Sequence, residues 1–243
     1  MMSSIKSAQI FLKRIHRLLS GPAPHSAILI PGVRSSYENG WRQLWKYFLG
    51  IFLICLVEFL IGLPAESAQM GGMFVVFGIV YGFLVTGPIS YGMAFVYLKA
   101  SRGDKPEIRD AFAAFNTYWN AVLSGLLVLV ICALGFILLI IPGIIFSCKL
   151  AFTPYLVVDR KMEVIEAIKE SWHMTGGHAW KVFFIFLLAI PISIAGLICL
   201  GVGVIISTMW VSLAFASLYH AISMSRQHVQ LGEGVSNRLP PAQ

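Results

Sequence analysis

YWNAVLSGLLVLVICALGFILLII, residues 118–141, contains no charged side chain. A helix rising 1.5 Å per residue needs about 20 apolar residues to cross a hydrocarbon layer about 30 Å thick, and this run exceeds that. In water such a segment would have to be buried on every side. The rest of the chain cannot do that, because 58% of its 243 residues are hydrophobic and only 12% are charged. Soluble domains carry about 25% charged residues to cover their surface, so lipid must serve as the solvent here.

Five further segments read the same way: 44–63, 72–98, 143–158, 181–200 and 202–224. The fourth in chain order, 143–158, is the shortest and contains Lys149 and Pro154; a re-entrant segment is its alternative reading. The basic residues test the count, since short cytoplasmic loops collect Lys and Arg. With six crossings, seventeen of the eighteen fall on one face, in the flank before residue 47, in 99–109, in 160–181 and after 225. The eighteenth, Lys149, lies inside a span, and Glu66 is the only charge on the opposite face. Five crossings would put the 160–181 loop on the wrong side. The expectation is therefore an all-α, polytopic membrane helix bundle with six transmembrane helices and both termini cytoplasmic.

Three divisions follow: a basic amphipathic N-terminal arm at 1–40, a membrane domain at 41–224 and a polar C-terminal tail at 225–243. In the arm, Ile5, Ala8, Leu12, Ile15 and Leu19 share one helical face while Lys6, Lys13, Arg14 and Arg17 take the other. That pattern suits a helix lying on anionic headgroups of the cytoplasmic leaflet, with partner binding or disorder as alternatives. Gly21-Pro22-Ala23-Pro24 separates it from the bundle. Residues 106–115 and 163–174 read as two more amphipathic interfacial helices on the cytoplasmic side. Trp45, Trp119 and Trp180 each open an outward-going helix, either as the trace of a repeated two-helix unit or by the interfacial preference of tryptophan alone.

Two charges fall inside spans, Glu58 and Lys149, about 20 Å and 14 Å from the cytoplasmic boundary by helical rise. Each costs at least about 2.5 kcal/mol to insert, so each needs compensation. Pairing between the first and fourth helices is geometrically allowed and would satisfy both, with independent snorkelling or no contact as the alternative. Such a pair either fastens two helices or lines a polar cavity for a proton, ion or lipid headgroup. Gly78 and Gly82 form a GxxxG, followed by Gly87 and Pro88, which predicts close helix packing and a bend near Pro88. Pro191 should bend the fifth helix, and Pro142-Gly143 reads as the turn between the third and fourth.

Chemistry is sparse. The four cysteines sit in apolar stretches without metal or redox spacing, and His173 and His178 flank Thr175-Gly176-Gly177 at a separation that fits no compact ligand pair. No hydrolase, phosphate-loop or metalloprotease motif is present, so neither a metal nor another cofactor is expected. The basic residues flank apolar runs instead of forming a patch, which argues against nucleic acid. Expected partners are the bilayer, anionic headgroups, and a protein partner or second copy.

Gly87-Pro88-Ile89-Ser90-Tyr91-Gly92, Arg102-Gly103-Asp104-Lys105-Pro106, Ile141-Pro142-Gly143-Ile144-Ile145 and Pro154-Tyr155-Leu156-Val157-Val158-Asp159 occur in that order. Over roughly 40–224 this resembles a group of uncharacterised bacterial six-helix membrane proteins related to the membrane domain attached to some glycerophosphodiester phosphodiesterases. The resemblance implies fold and location and carries no activity with it. A non-enzymatic module in transport, lipid handling or complex assembly is the expected function, with an intramembrane or interfacial lipid-acting enzyme as the alternative.

Overall fold

The computed structural model describes residues 31–65, 72–198 and 202–236. Residues 1–30, Glu66, Cys199 and Arg238 lie outside them, so the structure does not bear on the amphipathic reading of the arm. The described residues form helices and contain no strand. Backbone amides in hydrocarbon can be satisfied only within a helix or a closed barrel, and these sequences choose the helix.

The elements are α1 (Val33–Lys46), α2 (Phe48–Gly62), α3 (Met73–Tyr81), a π turn (Gly82–Thr86), α4 (Gly87–Ser101), α5 (Ile108–Ala111), a 3-10 segment (Ala113–Thr117), α6 (Tyr118–Leu138), α7 (Ile140–Leu150), α8 (Thr153–Asp159), α9 (Val164–Thr175), α10 (Ala179–Ile198) and α11 (Val202–Ser236). Six stretches are long and apolar enough to cross a membrane: Phe48–Ala65, Met73–Ser101, Ile108–Leu138, Ile140–Asp159, Ala179–Ile198 and Gly203–Gln227. The fourth segment therefore qualifies as a span. It does so as two helices, because α7 ends at Leu150 and Pro154 opens α8, where its missing N–H costs nothing.

The core gathers on α4, α8 and α11, where Leu98, Phe152, Leu156, Leu213 and Tyr219 are fully buried. Helices α2, α3 and the far end of α6 instead present Leu, Ile and Phe outward, as spans facing lipid must. Helix α1 lies along α11. Gly40 meets the backbone of Leu213 and Ala214 there, Trp210 Nε1 donates to Tyr37 O at 3.0 Å, and Asn39 Nδ2 donates to Ser217 Oγ at 2.9 Å. The Tyr37 hydroxyl donates to Ile185 O at 3.0 Å, and burial pushes its pKa up to about 12, which keeps it a donor at any ordinary pH. Thus α1 runs across the boundary placed at residue 40, and α11 continues as helix into the stretch read as a polar tail.

Two turns differ from expectation. The α6–α7 reversal is made by one extended residue, Leu139, and not by Pro142-Gly143. Pro142 occupies the first turn of α7, where amides lack intrahelical partners, and Gly143 packs face to face with Gly135. Residues 106–115 form two short pieces, α5 and the 3-10 segment, instead of one helix. Ala111 is buried under α4 because Gly92 admits its carbonyl, while Ile108, Phe112 and Phe115 stay exposed. Helix α9 matches its expected extent, with Ile165 and Trp172 outward and Ala167, Ser171 and Met174 inward.

Candidate functional site

The basic segments meet at one end of the bundle. Arg102, at the end of α4, makes a two-pronged ion pair with Asp159 at the end of α8, at 2.8 and 2.7 Å. Tyr219 on α11 donates to Asp159 at 3.4 Å, and its ring stacks on Tyr155 with centroids 5.0 Å apart. Gly103 then turns with φ +90°, a conformation that favours glycine, and its carbonyl accepts from the Tyr47 hydroxyl. Lys99 reaches Asp110 at 2.8 Å, and the same carboxylate oxygen caps α5 through the Glu107 amide at 2.7 Å. Arg226 on α11 pairs with Glu170 on α9 at 3.2 Å and donates to His173 O at 2.5 Å. Residues up to 60 positions apart thus meet in one polar layer.

Beside this layer lies a groove of about 450 Å³ between α7 and α10. Ile141, Ile144, Ile145 and Cys148 follow one helical face of α7, and Trp180 and Phe183 form the opposite wall on α10. Every lining residue is apolar. From Ile141 to Cys148 the groove runs about 10 Å along the helix, ending at the basic layer.

Lys149 stands at that end. Its Nζ lies 5.3 Å over the Trp172 ring and 4.0 Å from where a Cβ on Gly176 would stand. Its backbone carbonyl accepts from Ser171 at 2.8 Å and Thr175 at 3.2 Å, so α9 is bolted to the end of α7. The ammonium takes part in none of the ion pairs among the described residues. His178, next along, has its pKa lowered first by burial and then by the Lys181 and Arg226 cations, which marks a positive field at this corner.

The expected Glu58–Lys149 pair does not form. Glu58 sits on α2, which packs on α1, α4, α5 and the π turn, whereas α7 packs on α6, α9 and α10. Cys55, one turn back on α2, contacts the Tyr97 hydroxyl at 3.2 Å, and Glu58 is within electrostatic reach of both. The helical-rise estimate gave depths only, and two residues at similar depth can lie on helices that never touch.

The glycines divide by role. Gly78, Gly82 and Gly87 line a hollow of about 420 Å³ with Tyr91 and Gly125, so this stripe leaves space beside α3 and α4 that none of the described residues fills. Immediately before Pro88 the helix widens into the π turn, the adjustment expected where proline removes an amide from the ladder. Pro191 sits inside α10, which runs on through it to Ile198. The close approaches come from other glycines: Gly92 against Ala111, Gly143 against Phe136, and Gly196 against Gly203 and Ser207. Among the described residues no three His, Cys, Asp or Glu side chains converge to hold a metal.

Sequence reasoning missed the Arg102–Asp159 link and the groove. Both members of the ion pair stood in the motifs quoted above, but nothing in those motifs joins them across 57 positions. Residues 51–236 match the family model described as a domain of unknown function, DUF7847. The chain belongs to that family. No curated protein and no solved structure matches it. The DUF7847 region starts within α2 and ends with α11, so it contains the ion pairs of that layer and the groove and leaves out all of α1, although α1 is packed on α11.

Proposed function

We propose that this protein is a non-enzymatic membrane module that holds lipid, taking an acyl chain from the bilayer into the groove between α7 and α10. The groove itself carries the reading. Its walls offer no hydrogen bond, so its only favourable occupant is hydrocarbon, and because an acyl chain in the bilayer is already out of water, packing contacts with the walls are what retain it. A transported polar solute would need convergent polar groups, which this lining lacks. The exposed Trp180 at the groove's mouth, with Trp119 elsewhere at the basic end, suits a headgroup-level position for that end. In this reading the basic end faces the cytoplasm of a bacterial cell, following the bias of the connectors.

The test is photo-crosslinking in vesicles with a phospholipid bearing a diazirine in its acyl chain, followed by peptide mapping. Labelling should concentrate on 141–148 and 180–183, and Ile144→Trp, which fills the groove, should abolish it there. Equal labelling of every lipid-facing surface, including exposed Phe74 and Phe77 on α3, would overturn the proposal.

A further inference from the structure

The groove ends at cations, and nothing in the lipid-holding reading requires that. Lys149 is the only basic residue placed inside a span by the sequence, and a lysine so placed is expensive unless something answers its charge. No carboxylate does so among the described residues. The obvious acid, Glu58, belongs to a different helix neighbourhood. Glu170, on the adjacent α9, is already shared by Arg226 at 3.2 Å and Arg160 at 3.9 Å. What lies beside the ammonium instead is the Trp172 ring and the Gly176-Gly177 turn. A Cβ on Gly177 would meet nothing within 4 Å, so that turn is open on one side. Three residues after Gly176 the chain enters α10, whose first residues wall the groove, and Lys181 stands one turn past His178 there, its amide donating to His178 O at 2.9 Å.

We propose that the occupant of the groove is an anionic phospholipid, with one acyl chain along α7 and its phosphate held between Lys149 and Lys181 beside the open Gly176-Gly177 turn. This rests on the lipid-holding reading and adds the headgroup class to it. The geometry suits such a ligand because charge and hydrocarbon follow one another along a single path: Cys148 lines the groove and Lys149 is the next residue. His178, whose pKa is lowered first by burial and then by Lys181 and Arg226, stands on the other side of the turn, and of those two cations only Arg226 has an acid partner among the described residues, Glu170 at 3.2 Å. A phosphate there would supply the counter-charge that no described carboxylate does.

Native mass spectrometry of the full chain released from vesicles tests this, using phosphatidylglycerol and phosphatidylcholine with identical acyl chains in equal amounts. Wild type should retain phosphatidylglycerol in preference, by roughly fivefold for each lysine that touches the headgroup. Lys149→Met should reduce phosphatidylglycerol retention to the level of phosphatidylcholine, and Lys149→Arg should restore the preference. Should Lys149→Met fail to fold, Lys181→Gln carries the same test at a half-buried site. Equal retention of both lipids by wild type would overturn the headgroup assignment while leaving the groove as a lipid site. Displacement of phosphatidylglycerol by inorganic phosphate alone would assign the cations to a free anion and overturn it too. Retention unchanged by Ile144→Trp would show that the lipid sits elsewhere, and then the lipid-holding reading itself falls.

Discussion

Replacing Gly92 by alanine adds one methyl group at the point where α4 and α5 cross. That Cβ would stand 1.7 Å from the Ala111 carbonyl oxygen and 2.5 Å from its carbonyl carbon. A carbon and a carbonyl oxygen settle at about 3.3–3.6 Å, so the two backbones must part by roughly 1.5 Å. The obstacle is backbone, and no side-chain rotation relieves it. Separation also pulls at Asp110, the residue before Ala111, which accepts from Lys99 at 2.8 Å and from its own helix cap at 2.7 Å. Overpacking a close contact costs about 1–3 kcal/mol, and partial loss of a half-buried ion pair adds to it, so about 3 kcal/mol is expected. Gly50 is the control, because a Cβ there meets nothing within 4 Å. Thermal unfolding of purified protein in one detergent should show Gly92→Ala melting well below wild type and Gly50→Ala close to it. Equal melting temperatures for Gly92→Ala and wild type would refute the close crossing of α4 and α5.

Asp159→Asn should destabilise by about 2 kcal/mol, below the roughly 3–5 kcal/mol of a fully buried pair because Arg102 retains 30% exposure; melting of the exchanged pair, Arg102→Asp with Asp159→Arg, should recover part of that loss. Cysteine labelling at position 104 should occur only from the cytoplasm and at position 67 only from the opposite side, and labelling of both from one side would break the six-crossing arrangement. His178 has a folded-state pKa below its unfolded value, so the unfolded chain binds the extra proton: its contribution is present above about pH 6.5 and is lost as pH falls through the lowered folded value. A His178→Gln variant should therefore show a flatter melting profile between pH 7 and pH 5 than wild type, and an unchanged profile would discount the effect.

The spans were legible because lipid leaves few choices: a run such as 118–141 has no alternative to a helix. Helix α9 was legible for a similar reason, since Glu163, Glu166, Lys169 and Glu170 leave only one apolar face. Local backbone decisions were less so. Pro142-Gly143 looks like a turn in isolation, yet Leu139 makes the reversal because Gly143 is needed against Gly135 and Phe136. The split of 106–115 into two pieces depends on Ala111 sliding under Gly92, a tertiary contact with no local signature. The site was the least visible. Lys149 was singled out by the expense of its charge, but charge and depth do not say which helix is adjacent. The groove beside it is made of Ile and Phe side chains that resemble every other lipid-facing residue until two helices are placed side by side.

The most direct test of the account is a structure determined in lipid nanodiscs without detergent, with density examined along α7 and α10. A single acyl chain following Ile141 to Cys148, with a phosphate within contact distance of Lys149, is the predicted result. A groove occupied by a helix of a second copy, or closed by α10 moving onto α7, would contradict it.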